Sequence, residues 1–190
     1  IEQLSKESSR YDGDLVISGM TLFQSPVLST NLRPFFDFKL KGTTMIDGEQ
    51  VYEVTYQQTR ETPLITVNTK NDLPRDQGFD YEVDSDAGKN LNGRVRGTLW
   101  IDAETFQIRR EHRELTVQPE GASSPMPAIV NDFDFQPSDF GILTPKKITH
   151  NQSRVRSKGE QPIKQIGVTM EYSNFSKPDV EVKSSEVKNP

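Results

Sequence analysis

The sequence predicts a mainly β protein built on an antiparallel sheet that has one apolar face and one polar face. Residues 33–58 and residues 93–117 each read as a long β-hairpin, because apolar and polar side chains alternate along them with the period of a strand. The hydrophobic content is only 32%, which fits a sheet that exposes one face to water. We therefore expect a sheet whose apolar face is covered by something else.

Length and charge narrow the class of protein. A chain of 190 residues can form one domain with a sizeable core, and we expect residues 1–190 to form a single β domain. The net charge is −5, with basic and acidic residues interspersed, which argues against nucleic acid as a partner and against a polybasic membrane anchor. The chain has no cysteine, which excludes disulfides and thiolate metal sites.

The residues before the first hairpin carry weaker signals. Residues 1–12 are predicted to be the end of a truncated helix. Ser25 followed by Pro26 is typical of a helix N-terminus, and Pro34 ends the one or two turns that follow. Because the chain begins with Ile1 rather than methionine, we expect a processed product from which a targeting segment has been removed.

The first hairpin is expected to turn through three residues. Its apolar side chains fall at even positions on both strands, and a two-residue turn would pair even positions with odd ones. A loop of Ile46, Asp47 and Gly48, with the glycine in the left-handed position of a bulge, keeps both apolar rows on one face. We therefore predict the three-residue loop rather than the two-residue Asp-Gly turn.

The second hairpin fits a four-residue loop, residues 102–105. That loop length places the apolar side chains of both strands on one face and the charged ones on the other. The pairs that it predicts are Ile101 with Phe106, Leu99 with Ile108, and Arg96 with Glu111.

The remaining segments are assigned by alternation and composition. A strand is predicted at 129–135, and two long strands at 146–156 and 162–175. Residues 60–92 are predicted to be a long polar loop, and residues 178–190 a frayed, charged tail.

An acidic run within the polar loop has two interpretations. Asp80, Glu82, Asp84 and Asp86 alternate, and oxygen ligands at this density could hold a hard cation such as calcium. The spacing departs from that of an EF-hand loop, and a solvated acidic face is the favoured interpretation.

No catalytic constellation is visible in the sequence. His112 and His150 are the only histidines. The cationic neighbours of His112, among them Arg110 and Arg113, are expected to disfavour a second positive charge there. We find no HExxH motif, nucleophile elbow or phosphate-binding loop. We therefore expect no catalytic residue, no metal site and no cofactor.

Several short motifs point to a family. They are FKLKG at 38–42, IDGEQVYEV at 46–54, GTLWID at 97–102, TFQIRR at 105–110 and GILTP at 141–145. In this order, over residues 33–175, they resemble the LolA/LolB-type lipoprotein-carrier superfamily, especially bacterial proteins of the outer-membrane lipoprotein-sorting type. The resemblance implies a curved antiparallel sheet forming an unclosed half-barrel, with one or two short helices as a lid. It also implies binding of lipid or acyl chains in the concavity without covalent chemistry.

The apolar rows of the sheet are the candidate ligand site. An ordinary packed core is an equally good interpretation for most of these side chains, whereas a ligand site would use them as the lining of a concave face. The candidate lining residues are Phe36, Phe38, Leu40, Tyr52, Val54, Tyr56, Leu99, Ile101, Phe106, Ile108, Val168, Met170 and Tyr172.

Two functions compete. The first is a non-enzymatic protein of the periplasm or cell envelope that binds lipid or an acylated lipoprotein, with an envelope protein as a further partner and room for peripheral contact with a membrane. The second is a protein-interaction or sensor module on the same scaffold with a filled cavity. Its contact surface would comprise residues 60–92 and a polar face formed by Arg94, Arg96, Arg109 and Arg113, with Trp100 at the edge.

Overall fold

An open antiparallel sheet dominates the computed structural model, which describes residues 25–62, 65–68, 79–83, 92–119, 122–139, 141–156 and 163–175. Seven strands form this sheet in the order β1-β2-β5-β6-β7-β8-β9, and β3 and β4 form a second, two-stranded sheet. The bounds are β1 Phe36–Ile46, β2 Glu49–Gln58, β3 Ile65–Asn68, β4 Phe79–Glu82, β5 Asn92–Asp102, β6 Ile108–Gln118, β7 Met126–Pro137, β8 Leu143–Arg154 and β9 Ile163–Glu171.

The predicted fold class is confirmed. The large sheet is antiparallel throughout and does not close, so it has the form of a half-barrel with β1 and β9 as its outermost strands among the described residues. Two 3₁₀ turns, Pro26–Leu28 and Arg33–Phe35, precede β1 where short lid helices were predicted. The predicted helix end at 1–12 and the tail at 178–190 lie outside the described residues. In the part of the chain that is described, no helix is long and apolar enough to span a bilayer.

The loop predicted for the first hairpin is wrong, although the parity argument behind it holds. Ile46 pairs with Glu49 across a two-residue turn in which Asp47 and Gly48 both have positive φ, 51° and 87°, as a type I′ turn requires. The extra residue lies instead in β1, where a bulge shifts the register between Leu40 and Gly42. Because of this bulge, the apolar side chains of β1 before it and those of β2 lie on one face, which is the arrangement that the three-residue loop was predicted to give.

The register predicted for the second hairpin is also wrong. Ile101 pairs with Ile108, and Leu99 pairs with Glu111. Phe106 therefore lies in the loop and not in a strand. The cause is a bulge in the β5–β6 ladder next to Ile101, together with a longer loop, residues 103–107. As a result Glu111 faces the core, and Arg96 pairs with Glu114 instead.

The segment predicted as a polar loop, residues 60–92, contains β3 and β4, which pair in parallel. It also contributes to the core, because Val83 is fully buried. Val67 packs so closely on Gly93 that a Cβ there would collide with it. Of the acidic run, Asp80 and Glu82 lie on β4, whereas Asp84 and Asp86 lie outside the described residues.

The core lies on one face of the large sheet, here called the inner face. Val95, Leu99 and Leu115 are buried on this face to within 1% of full burial. Residues 25–35, here called the covering segment, pack against it through Val27 and Leu32. The opposite, outer face is polar. The predicted dry face is therefore confirmed for β5, whereas on β6 the predicted faces are reversed, because Glu111 and Arg113 are buried on the inner face.

Candidate functional site

A polar stripe crosses the middle of the inner face. Cross-strand pairing aligns one residue from each of the seven strands into a single row. In strand order the row is Phe38, Tyr56, Gly97, Arg113, Asn131, His150 and Val168. The row beside it consists of Leu40, Val54, Leu99, Glu111, Phe133, Ile148 and Met170. Apolar side chains predominate in the second row, and polar ones occupy the centre of the first.

Glu111 is the centre of this stripe. One of its carboxylate oxygens, Oε1, accepts hydrogen bonds from Ser25 Oγ at 2.8 Å, Tyr56 Oη at 2.7 Å and Arg113 Nε at 2.9 Å. The other, Oε2, accepts from Arg113 Nη2 at 2.9 Å. Glu111 and Arg113 are only 2% and 3% exposed. This carboxylate thus joins the covering segment, β2 and β6 in one buried cluster.

Gly97 allows Tyr56 to reach Glu111. Tyr56 lies directly opposite Gly97 on β5, and Gly97 lies opposite Arg113 on β6. A Cβ at position 97 would collide with the Tyr56 ring and with the main-chain oxygen of His112. A glycine in the interior of a strand weakens the strand but permits such a close approach, so the tyrosine can cross the intervening strand.

The electrostatics of the cluster follow from its burial. Burial raises the pKa of Tyr56 well above its usual value of 10.0, and the charge of Glu111 raises it further, so Tyr56 remains a neutral hydrogen-bond donor. The guanidinium of Arg113 lies 4.9 Å from the centre of the Phe133 ring, a cation–π contact. With four hydrogen bonds donated to its carboxylate, Glu111 anchors the cluster.

A second polar network lies on the outer face. Arg96 Nε donates to Glu114 at 2.7 Å. His112 lies between Glu114 and Asp132, with Nε2 at 3.2 Å from the first and Nδ1 at 2.7 Å from the second. Thr149 Oγ1 donates to the other oxygen of Asp132 at 3.2 Å. The network therefore links β5, β6, β7 and β8.

The expectation that His112 resists a positive charge is wrong. Partial burial lowers the pKa of His112, but hydrogen bonds to Asp132 and Glu114 outweigh that effect and raise it above 6.5. Neighbours in sequence alternate between faces on a strand, so Arg113 points to the inner face, whereas Asp132 is the cross-strand neighbour. An open groove of about 470 Å³ lies on this polar face beside His112, Thr98 and Lys39.

The predicted lining residues fall into three groups. Phe36, Tyr56 and Leu99 are buried in the core. Most of the others are half-buried, namely Phe38, Tyr52, Val54, Ile101, Ile108, Val168, Met170 and Tyr172. Two are exposed: Leu40 at 60%, on the outermost strand β1, and Phe106 at 71%, in the loop. The placement of Phe106 in an apolar strand row is therefore corrected.

The inner-face polar cluster was missed by the sequence analysis. The assumed register placed Glu111 on the polar face, and Arg113 was assigned to the same face, whereas both lie on the inner face and are buried. A usable signal was present: Gly97 lies in the middle of a strand, where glycine often marks the close approach of another group. Among the described residues, no group of three or more metal-binding side chains is brought together.

Comparison of the chain with protein-family models, curated proteins and solved structures finds no match. The class of the protein is therefore defined by its own geometry. It is an open antiparallel half-barrel whose inner face has a short covering segment and a buried Glu111–Arg113 pair at its centre.

Proposed function

We propose that this chain is a non-enzymatic protein of the cell envelope that binds a hydrophobic ligand against the inner face of its sheet. The ligand class is a lipid or the acyl chains of a lipoprotein. The resemblance of the hairpin motifs to LolA/LolB-type carriers supports both this ligand class and a periplasmic or envelope location. The binding itself is non-covalent and driven by apolar burial, at about 25 cal/mol per Å² before the costs of association.

One observation carries the proposal: the mainly apolar row of the inner face continues to β9, beyond the part that the covering segment buries. At the centre, Leu99, Phe133 and Ile148 are buried. At the β9 margin, Met170 at the end of this row and Val168 at the end of the neighbouring polar row remain half-buried. Apolar side chains held half-open at the edge of a concave face are typical of a ligand site.

The β9 margin has further features of such a site. Tyr172 stacks on Phe175 with ring centres 6.5 Å apart and an angle of 19° between the rings. Tyr172 Oη also contacts the sulfur of Met170 at 3.6 Å. These contacts fix an aromatic pair beside the apolar strip of β9, and an extended acyl chain could lie along both.

Binding of a fluorescent fatty acid tests the proposal with a matched pair of variants. Val168→Asp places a carboxylate on the inner face of β9, and desolvating that charge against an acyl chain should abolish binding. Thr169→Asp, on the neighbouring exposed position of the same strand, should leave binding unchanged. If the wild-type protein does not bind the probe, or if both variants bind equally well, the inner-face site is wrong.

A second candidate is the interaction module with a filled cavity. It is favoured by the full burial of Leu99 and the 2% exposure of Tyr56, since neither side chain can touch a ligand unless the covering segment moves. Its contact surface would be the outer face around Arg96 and Trp100. Arg113 is excluded from it by burial, and Arg109 is engaged by Asp102 at 3.0 Å.

A substitution on the outer face distinguishes the two candidate functions. Arg96→Glu should abolish capture of a partner protein if the second candidate is correct, and it should leave fatty-acid binding intact if the first is correct. Deletion of residues 60–92 is a poor test, because Val67 and Val83 pack in the core.

A further inference from the structure

Large exposed apolar side chains gather at one end of the half-barrel. Met45 next to the β1–β2 turn, Phe106 in the β5–β6 loop and Ile142 in the β7–β8 loop are 62%, 71% and 57% exposed. The antiparallel register brings these three connections to the same end of the sheet. We call this the loop end of the molecule.

Hydrogen bonds between the connections hold the loop end together. Ala103 N donates to Gln50 O at 3.0 Å, which joins the β5–β6 loop to the first hairpin. The side chain of Gln107 joins it to the β7–β8 loop, because its Nε2 donates to Gly141 O at 3.3 Å and its Oε1 accepts from Leu143 N at 2.6 Å. Phe106 and Ile142 therefore lie on two loops that are hydrogen-bonded to each other.

The backbone of Phe106 is held in an unfavourable conformation. Its φ is +57°, in the left-handed region that a bulky aromatic residue rarely adopts. The loop enforces it: Phe106 N donates to Asp102 O at 3.0 Å, while Asp102 Oδ1 accepts from Thr105 N at 2.8 Å. Strain of this kind persists where the surroundings over-determine it and is typical of functional sites. Here it presents an aromatic ring to solvent.

We infer that the loop end is a docking surface for a lipid bilayer, with Phe106 and Ile142 inserting their side chains below the headgroups. A stable protein interface needs on the order of 1,000 Å² with good shape complementarity, which a few separate loop tips do not supply. A fluid bilayer demands no such complementarity, and it gains from every apolar side chain that it buries. The inference goes beyond the proposed ligand site and does not require a ligand in it.

The charges at the loop end specify the kind of bilayer. Among the described residues, Asp47, Glu49, Glu104 and Asp139 are exposed there, against one exposed lysine, Lys146, near the start of β8, and the basic side chain of Arg109 is engaged by Asp102. Carboxylates near an anionic membrane surface are repelled over about one Debye length. The surface therefore fits an electrically neutral, zwitterionic bilayer better than an anionic one.

Flotation with lipid vesicles tests the inference on the intact chain. The wild-type protein should float with phosphatidylcholine vesicles, and the addition of phosphatidylglycerol at low salt should reduce the bound fraction. Phe106→Ser and Ile142→Ser should each weaken partitioning about tenfold, because each removes one buried apolar side chain. Ile163→Ser is the matched control, since Ile163 is 52% exposed but lies at the start of β9, at the opposite end of the sheet.

Phe106→Gly separates docking from folding. Glycine adopts positive φ without strain, so this variant should melt at a higher temperature than the wild type and yet lose vesicle binding.

The inference is overturned if the wild type does not float, if Ile163→Ser binds vesicles as weakly as Phe106→Ser, or if binding requires phosphatidylglycerol. It is also overturned if Phe106→Ser floats normally but loses a protein partner. Val168→Asp changes the inner face and not the loop end, so this variant should lose fatty-acid binding and still float with vesicles. The ligand site and the docking surface can therefore be refuted independently.

Discussion

At the scale of single residues, the interior depends on one buried carboxylate. Glu111 is 2% exposed and accepts hydrogen bonds from three different side chains, Ser25, Tyr56 and Arg113. A charge without a partner in such surroundings is very costly, and a bidentate arginine offsets that cost. The position of the covering segment is thus coupled to β6 through the Ser25–Glu111 hydrogen bond.

Removal of Glu111 should be far more damaging than removal of Glu114, two residues along the same strand. Glu111→Ala strands the buried Arg113, and we expect a loss of about 3–5 kcal/mol in the free energy of unfolding. Glu114 bonds to a half-exposed Arg96 and to His112 on the outer face, where solvent screens the charges, so Glu114→Ala should cost about 1 kcal/mol or less. Urea denaturation of both variants measures the difference. Equal losses would show that the inner cluster is not the anchor described above.

At the scale of elements, the alternation of strands could be predicted from the sequence, but the register could not. The parity of the first hairpin correctly demanded one extra residue. A three-residue loop and a bulge at Gly42 satisfy that demand equally, and only the structure shows the bulge. In the second hairpin the bulge next to Ile101 and the longer loop changed the pairing. That change moved Glu111 to the inner face, which is why the polar cluster was not predicted.

The β5–β6 loop should lose stability in acid through Asp102. Hydrogen bonds from the main chain at Thr105, the first cause, and from Arg109 outweigh the opposing effect of burial and lower the pKa of Asp102 from 3.8 to about 2. Because the folded pKa is depressed, the stabilisation is present above the unfolded pKa of 3.8 and is lost as the pH falls towards 2. The difference in unfolding free energy between the wild type and Asp102→Asn should therefore shrink over this range. A difference in unfolding free energy that stays constant over this pH range would contradict the lowered pKa of Asp102.

The outer-face network predicts the opposite dependence on pH. The pKa of His112 is raised above 6.5 by Asp132 and Glu114, against the effect of burial. Its contribution to stability is therefore complete below 6.5 and declines as the pH rises through the raised value. Thermal melting of the wild type and His112→Gln between about pH 6 and pH 9 tests this. The advantage of the wild type should diminish as the pH rises, and an advantage that grows with pH would refute the network.

At the scale of the whole molecule, the sheet separates two kinds of surface. The inner face is packed at its centre and half-open along the Val168–Met170 margin, whereas the outer face is charged. The loop end adds a third surface, on which Phe106 and Ile142 are both exposed. The open antiparallel fold was predictable because hydrophobic alternation reports faces directly. The packing of side chains against the inner face was not predictable, because it depends on the covering segment and on Val83 folding over the sheet.

Mass spectrometry of lipid extracted from the protein tests the central claim most directly. The protein is isolated from its native compartment without detergent, then denatured in organic solvent, and the extract is compared with one from the Val168→Asp variant prepared in the same way. A hydrophobic ligand on the inner face predicts an acyl lipid near one mole per mole of wild-type protein, and a depleted extract from the variant. Extracts from both proteins without acyl lipid, or with equal amounts of it, would contradict the claim.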